Sequence, residues 1–406
     1  MKPRLSKTTL SLAMAMATLA GCSGGVDTGQ KADTNASAFR DGISPTVRDG
    51  DKLALTDLTT DYNMALRSAA LKLTGNYPTL AEIKELRDSA DQPATYAARI
   101  DDYLSRPAFA NQQMAFWRDT FHMGGSLSVT VNGTTTPVSL ETAPAFAAQL
   151  VVEGKPFNKL LTDTKGTCPT FNAATGAFTA ADCTNTNGEP VVGVLTDAGV
   201  HAQFYSSMAF RRNRWVQETF MCTRFPAESG GNKTQYAGGT YSAPWAITSI
   251  SGSQNAAKPK IDFHDTSAVI CANCHVTMNH QSPLFARFDQ LGKLTKTIQV
   301  ITPVPPNPIT EMVDWLPAGE GFAWRMGKPV KDLTDLGGAI AADPEMPKCV
   351  SARVWNWAMS RGDIVNDQVT LTPELAAQLA GQLTTNNWNV KTLIRQVFTS
   401  PSFVRF

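Results

Sequence analysis

The sequence predicts a mainly α fold, with a helical N-terminal domain, a small β-hairpin and loop insertion, and a helical C-terminal part. Apolar side chains recur at helical spacing from Tyr62 to Leu73, and the helical pattern resumes near Met208, through Trp215, Thr219 and Cys222, and again from Val350 onward. Between these regions, Asn132-Gly133 separates two β-rich arms, which predicts a hairpin with a type I′ turn. With 406 residues and 42% hydrophobic content, the chain is long enough for several packed units.

Residues 1–22 are predicted to be a signal peptide. Lys2, Arg4 and Lys7 precede an apolar run that is too short to cross a bilayer. The run ends in the letters LAGC, which resemble a bacterial lipobox, so Cys22 would become the lipid-modified first residue of the mature protein. The alternative is an ordinary signal peptide with an accidental cysteine at this position.

Residues 23–50 are rich in Gly, Ser, Asp and Thr and are predicted to form a flexible tether. Ser23 after the lipobox cysteine resembles lipoproteins that are sorted to the outer membrane. We therefore expect an exported, membrane-anchored lipoprotein that faces the periplasm or lies on the outer-membrane surface. The net charge of +1 argues against nucleic acid as a partner.

The helical domain is assigned to residues 51–124. Its first helix should end near Gly75, and Thr79 with Glu82 three residues later predicts a capping box at the start of the next helix. A further helix is expected around residues 96–104, ending before Pro107, and another through Met114 to Phe121. The insertion, 125–190, holds the hairpin, a helical piece at 144–152 and a loop between two cysteines.

The haem-attachment domain, 191–300, is organised around Cys271-Ala272-Asn273-Cys274-His275. The spacing C-x-x-C-H is the attachment signature of c-type haem. Cys271 and Cys274 would form thioethers to the haem, and His275 would bind its iron as the proximal ligand. A bare C-x-x-C also fits a zinc site or a redox dithiol, but the chain has no second C-x-x-C and no preceding βαβ pattern.

Three arginines precede the haem motif. Arg211, Arg212 and Arg214 could neutralise haem propionates or dock an acidic redox partner. The favoured interpretation is a set of solvated charges on a helix face.

A Pro-rich connection is predicted at residues 301–332, followed by a C-terminal helical domain at 333–406. Val350, Val354 and Trp357 fall on one helix face, and Thr372 predicts the cap of a later helix. The chain is expected to end with an amphipathic helix before Pro401.

Export also bears on the seven cysteines. With Cys22 assigned to lipid and Cys271 and Cys274 to haem, four cysteines remain. An even number of cysteines in an oxidising compartment predicts disulfides, here two. One is expected between Cys168 and Cys183, which flank a turn signal symmetrically, and the other between Cys222 and Cys349. Free buried thiols are the alternative.

Three stretches resemble the secreted planctomycete-type cytochrome c family, whose members carry consecutive domains of unknown function and a C-x-x-C-H motif. They are Leu71–Thr79 with Leu104–Phe109, Gly193–Gly292 around the haem motif, and Cys349–Phe403. The resemblance implies a cytochrome c-like helical C-terminal part with covalently bound haem. The chain departs from the family at Asn279–Pro283, where members usually carry Asp-Pro-Leu-Gly-Phe.

The sixth iron ligand separates an electron carrier from a haem enzyme. His264 lies seven residues before Cys271, a stretch that can span at most about 25 Å and so can wrap the ring edge. Met326 and Met346 lie at the downstream distance that small cytochromes use. The fourth possibility is an iron without a second protein ligand.

Three functions remain open on the sequence alone. The first is a monohaem c-type cytochrome that exchanges single electrons with a redox partner protein. The second is a haem enzyme, a peroxidase or oxidase, because the chain is larger than one haem requires. The third is a surface binding protein with structural haem.

Overall fold

The computed structural model describes residues 58–206, 209–222, 278, 280–297, 299, 321–325, 328–365 and 371–406, and the backbone of 235–236 and 239–240. The fold is mainly α with small two-stranded antiparallel sheets, as the sequence predicts. Within these parts of the chain, every helix is too short or too polar to span a bilayer.

The N-terminal helices are α1 (Tyr62–Thr74), α2 (Leu80–Asp88), α3 (Gln92–Ser105) and α4 (Pro107–Phe121). α1 begins at the cap Asp61 and ends at Gly75, whose φ of +73° is the left-handed conformation that glycine adopts without strain. The predicted capping box at α2 is confirmed. Thr79 accepts from the backbone N–H of Glu82, and the Glu82 carboxylate accepts from the backbone N–H of Thr79.

The insertion begins with β1 (Ser126–Val131) and β2 (Thr134–Ser139), which pair as an antiparallel hairpin. Asn132 and Gly133 both have positive φ, so the predicted type I′ turn is confirmed. α5 (Thr142–Val152) follows and packs on α4, and a short second hairpin of β3 (Thr170–Asn172) and β4 (Ala177–Thr179) comes next. A disulfide between Cys168 and Cys183 closes the base of this hairpin, as predicted.

The middle of the chain contains two short 3₁₀ turns, Phe157–Leu161 and Gly193–Thr196, then α6 (Ala198–Gln203) and α7 (Phe210–Met221). Residues 235–236 and 239–240 form a small pair of strands, β5 and β6. Residues 280–285 are helical. The predicted helix through Trp215 and Thr219 is therefore confirmed, and it ends where Cys222 begins a disulfide to Cys349.

The C-terminal part begins with β7 (Ala323–Trp324) and β8 (Lys328–Pro329), which lie at the end of the predicted Pro-rich connection. Four helices and one helical turn follow. They are α8 (Leu333–Ala341), α9 (Glu345–Ala358), α10 (Pro373–Thr385), α11 (Val390–Phe398) and α12 (Pro401–Val404). Thr372 caps α10 as predicted.

One hydrophobic core joins the two helical regions, with buried members from Ala65 in α1 to Val404 in α12. The Tyr96 hydroxyl in α3 donates to the backbone carbonyl of Phe398, 2.8 Å away, at the end of α11. Thr60, before α1, forms an antiparallel bridge with Arg405. The beginning and the end of the described chain are therefore packed together.

Candidate functional site

The haem motif itself, Cys271, Cys274 and His275, lies outside the described residues, as do His264, Met326 and Cys22. The structure does describe the segment that follows the motif, residues 280–297, and the helix on which it packs. Below, this stretch is called the post-motif segment. Its contacts show how the chain that follows the predicted haem motif is held.

α7 holds the post-motif segment through buried polar side chains. Arg212, Asn213 and Gln217 are almost fully buried, although α7 is polar on average and looks like a surface helix. Its exposed side carries Arg211 and Arg214. The helix therefore presents one solvated polar face and one buried polar face, and the buried face contacts the post-motif segment.

Arg212 is the centre of this contact. Its guanidinium donates to the backbone carbonyl oxygens of Phe285 and Phe288, both at 2.8 Å, and of Asp289 at 2.9 Å. It also donates twice to the carbonyl of His201 in α6. All five N–H donors are thus used by backbone oxygens. Burial lowers the pKa of Arg212 to about 9, so the group stays charged at neutral pH.

The interpretation of the three arginines as solvated charges is therefore wrong for Arg212 and confirmed for its two neighbours. Arg212 has no N–H donor left for a haem propionate, because backbone carbonyl oxygens accept from all five of them. Arg214 forms an exposed ion pair with Glu218 at 2.9 Å, and Arg211 lies over the ring of Phe204, with 6.0 Å between the guanidinium carbon and the ring centroid.

Asn213 and Gln217 reach the residues that depart from the family pattern. The Asn213 amide donates to the carbonyl of Met278 at 3.3 Å and to the Ser282 hydroxyl at 3.4 Å. The Gln217 amide donates to the side-chain oxygen of Gln281 at 3.2 Å. Gln281 and Ser282 are fully buried. The unusual polar residues after the motif thus match the polar face of α7.

His201 lies between α6 and the post-motif segment. Its ring stacks on Phe288, with the centroids 3.4 Å apart and the planes 9° from parallel. Nε2 lies 2.8 Å from the carbonyl of Leu195 and so donates to it, which leaves Nδ1 as a buried acceptor without a partner. Burial, and then the charge of Arg212, lower the pKa of His201 well below its ordinary value. The ring is therefore neutral.

A second anchor joins the insertion to the post-motif segment. The Asn185 amide donates to the carbonyls of Gly292 at 2.6 Å and Thr196 at 2.8 Å. The backbone N–H of Leu294 donates to the carbonyl of Asn185 at 2.8 Å. Gly292, with φ +72°, passes so close to the backbone of Ala198 that a Cβ would lie 2.1 Å from its oxygen. Only glycine fits at this crossing.

The other end of α7 is held by α9. Cys222, the residue after the helix, is bonded to Cys349, so the predicted long-range disulfide is confirmed. One turn along α9, the buried guanidinium of Arg353 donates to the carbonyls of Glu218 and Thr219 and pairs with Asp363 at 2.9 Å. A cation at the carbonyl end of a helix is stabilising. Burial lowers the pKa of Arg353.

A cleft of about 330 Å³ opens beside the exposed face of α7. Arg211, Arg214 and Trp215 supply one wall. The lining residues are Thr120, His122, Gln203, Phe204, Arg211, Arg214, Trp215, Glu218, Thr219, Arg353, Asp363 and Val365. Glu218 pairs with Arg214 and Asp363 pairs with Arg353, so Arg211 carries the positive charge that remains at the cleft.

Met346 is fully buried in the hydrophobic core on α9, a packing position. Trp324 is also buried, and its indole N–H donates to Asp343 at 2.7 Å. Trp357 contacts Phe116 and Phe398, as expected for a core residue.

Within the described parts of the chain, one cluster has the composition of a metal site, namely Cys168, Cys183 and Asp197. The two sulfurs form a disulfide, so they offer no thiolate. Asp197 instead caps α6 by accepting from the backbone N–H of Val200, and burial raises its pKa.

Sequence reasoning missed His201, Arg353 and the buried role of Asn213 and Gln217. Arg353 lies four residues after Cys349, which is one helical turn. This spacing could have indicated that Arg353 faces the same neighbour as the disulfide. His201 follows Asp197 at the same spacing, but the sequence shows nothing of its partner Phe288.

Comparison with known proteins gives one match to a family model, over about a third of the chain. Residues 52–181 match the model described as PSCyt2, protein of unknown function (DUF1549). The match spans α1 to β4, including the first of the three stretches that resemble cytochrome-associated proteins, and it ends before the C-x-x-C-H motif. No curated protein and no solved structure gives a significant match.

Proposed function

We propose that this protein is an exported monohaem c-type cytochrome that carries single electrons to or from a redox partner protein. The observation that carries the proposal is the use of the cysteines. All four described cysteines are bonded in two disulfides, Cys168–Cys183 and Cys222–Cys349. Beyond the lipobox residue Cys22, the chain has two further thiols, and these are Cys271 and Cys274, directly before His275. This donor set fits a covalently attached haem.

The haem would supply the one-electron couple, and the chain's own residues would hold it. Cys271 and Cys274 would attach it, and His275 would bind the iron. Arg212, Asn213 and Gln217 hold Met278 and the post-motif segment. A fixed backbone directly after the motif would restrict the position of a proximal His275, which suits an electron carrier because it limits reorganisation.

The cleft beside α7 supports an acidic redox partner. Arg211 is exposed along it without an ion pair to any residue that the structure describes, Arg214 is exposed beside it in its pair with Glu218, and Trp215 stacks on Phe204 with 5.7 Å between centroids. Cationic side chains at a rim steer an acidic surface and raise its rate of association. The match to PSCyt2 supports the family resemblance, because it covers the N-terminal stretch on which the resemblance was partly based.

The same proposal places the protein in the cell envelope. Cys22 would carry the lipid and anchor the mature protein to a membrane without a spanning helix. Disulfides persist in oxidising compartments, so the two observed here support export. Mass spectrometry of the mature protein, looking for acyl chains on Cys22, tests the anchor separately from the haem.

The deciding experiment is the visible spectrum of the mature protein, oxidised, reduced, and reduced with carbon monoxide. We expect a c-type band that Cys271→Ser with Cys274→Ser abolishes and that Cys168→Ser with Cys183→Ser retains. A reduced spectrum that carbon monoxide leaves unchanged means two protein ligands and supports the electron carrier. A clear shift means an accessible iron and favours the haem enzyme. Absence of the band overturns the proposal.

A further inference from the structure

The exposed large apolar side chains are concentrated at one place. In the described parts of the chain they are Met64, Leu71, Tyr77, Leu80 and Phe406. Tyr77 is 75% exposed and Leu80 is 85% exposed, so most of the surface of each side chain contacts solvent. Met64 and Leu71 lie on α1, and Tyr77 lies in the turn that joins α1 to α2. Leu80 is the first residue of α2, and Phe406 pairs with Thr59, just before α1. We call this set the α1 surface.

The α1 surface follows helix geometry. Met64 and Leu71 are seven residues apart in α1, which places them on the same face of the helix. Phe406 pairs with Thr59, next to the first turn, through two backbone hydrogen bonds. Tyr77 and Leu80 follow the last turn. The apolar side chains thus extend along the whole of α1, about 20 Å at 1.5 Å per residue.

Cations are interleaved with these apolar residues. Arg67 lies three residues after Met64 and four before Leu71, so it shares their face, and Lys84 lies one turn after Leu80 on α2. Both are exposed, and neither takes part in the ion pairs found in the described parts of the chain. The exposed acidic neighbours on α2 each have an ion-pair partner, since Glu85 pairs with Arg99 and Asp88 with Arg87.

The chain that leads to Cys22 meets the body at this surface. Thr59 and Asp61, which precede α1, are fixed to Phe406 and Val404 by backbone hydrogen bonds. About 35 residues separate Cys22 from this point, and as a random coil they would span about 30–35 Å. A lipid on Cys22 therefore keeps the α1 surface within reach of the bilayer.

We infer that the α1 surface lies on the membrane, with its apolar side chains in the headgroup region and its cations on anionic phospholipid. Exposed apolar residues with flanking Lys and Arg are the pattern of interfacial binding. A partner protein is the less favoured occupant, because the anchored end of the chain already brings lipid to this face. The inference uses the anchor proposed at Cys22 for orientation and is independent of the haem.

The test uses the mature, haem-loaded chain with Cys22→Ser, so that no acyl chain contributes. It measures flotation with vesicles of phosphatidylethanolamine and phosphatidylglycerol, and with vesicles of phosphatidylcholine alone. We expect binding to the anionic vesicles that weakens with salt. Met64→Gln with Leu71→Gln and Leu80→Gln should reduce that binding about tenfold or more, because less apolar surface enters the interface.

The charge arm has a matched control. Arg67→Gln with Lys84→Gln should weaken binding to the anionic vesicles, whereas Lys328→Gln with Lys331→Gln, exposed cations in and after β8, should leave it unchanged. Absence of binding by the parent chain overturns the inference. An equal loss of vesicle binding in the Arg67/Lys84 variant and the Lys328/Lys331 variant also overturns it. So does a dimer of the parent chain that the Met64/Leu71/Leu80 variant abolishes. An unchanged haem spectrum in every variant separates this result from the proposed electron transfer.

Discussion

The guanidinium of Arg212 donates two hydrogen bonds to the backbone carbonyl of His201, from Nε at 3.1 Å and from Nη2 at 2.8 Å. Its remaining donors serve three carbonyls of the post-motif segment. A single side chain therefore joins α6, α7 and the backbone that follows the haem motif. The arrangement makes Arg212 a structural residue, in contrast to its neighbour Arg211.

Replacement of Arg212 by Leu should destabilise the protein by about 3 kcal/mol or more, because four carbonyl oxygens, three of them in buried contacts, each lose a charged donor. The matched variant is Arg211→Leu, which changes an exposed side chain of the same type and should cost under about 0.5 kcal/mol. Denaturant unfolding of the two variants measures the difference. Similar midpoints for both would show that the carbonyl cluster does not depend on Arg212.

His201 should make stability depend on pH. Its pKa in the folded protein lies well below the value of 6.5 expected in the unfolded chain. Below pH 6.5 the unfolded chain therefore binds a proton that the folded protein does not. The contribution of neutral His201 to the free energy of unfolding is fully present above pH 6.5. As the pH falls from 6.5 toward the pKa of His201 in the folded protein, this contribution decreases by about 1.4 kcal/mol per pH unit.

His201→Gln should remove this dependence, because glutamine keeps a donor for the carbonyl of Leu195 and does not titrate. The measurement is the free energy of unfolding between pH 7 and pH 5, compared between the parent and the variant. His122→Gln, at an exposed histidine, is the control and should retain the parent's slope. Parallel curves for the parent and His201→Gln would contradict the assignment.

Asn213→Leu with Gln217→Leu should loosen the post-motif segment. The changes leave the Met278 carbonyl and the buried side chain of Gln281 without these donors, at about 1–3 kcal/mol for each unsatisfied group. We expect faster amide hydrogen exchange at residues 280–289, with α1 to α4 unaffected. Arg214→Gln on the exposed face is the control and should change neither region. Exchange that rises equally throughout the chain would show a global effect instead.

The two disulfides should differ in what they contribute to stability. Cys222–Cys349 closes a separation of 127 residues, and Cys168–Cys183 closes one of 15. Loop-closure entropy predicts that removing the first, as Cys222→Ala with Cys349→Ala, costs about 1–2 kcal/mol more than removing the second in the same way. Thermal and denaturant unfolding of the two double variants tests this order. A larger loss from the short loop would show that local packing at Cys168 outweighs chain entropy.

Local signals in the sequence predicted much of the fold. The Thr79–Glu82 capping box, the Asn132-Gly133 turn and the Thr372 cap are interactions between residues two to four apart, so their chemistry is readable without tertiary structure. The disulfide pairing was also accessible, because the parity of the cysteines and the symmetry of the Cys168 loop restrict it.

The buried polar face of α7 was not predictable in this way. Arginine and asparagine are usually exposed, so a helix with three arginines and Asn213 is expected to be solvated. Its burial depends on backbone carbonyls more than 70 residues away, which no local pattern reveals. The haem motif is the converse case. The spacing of Cys271, Cys274 and His275 predicts haem attachment from the sequence alone, and these three residues lie outside the described part of the chain.

The bridge between Thr60 and Arg405 determines when this protein can finish folding. α1 and α3 complete their contacts only with residues near 398–406. The helices that are synthesised first therefore cannot finish packing until the C-terminal helices have been made. Contacts at such sequence separation slow folding, because a long loop must close before they form. If the chain is exported from its N-terminus, as proposed, residues 271–275 would reach the new compartment before the C-terminal helices do. Attachment of haem to Cys271 and Cys274 would then have an interval in which the fold is still incomplete.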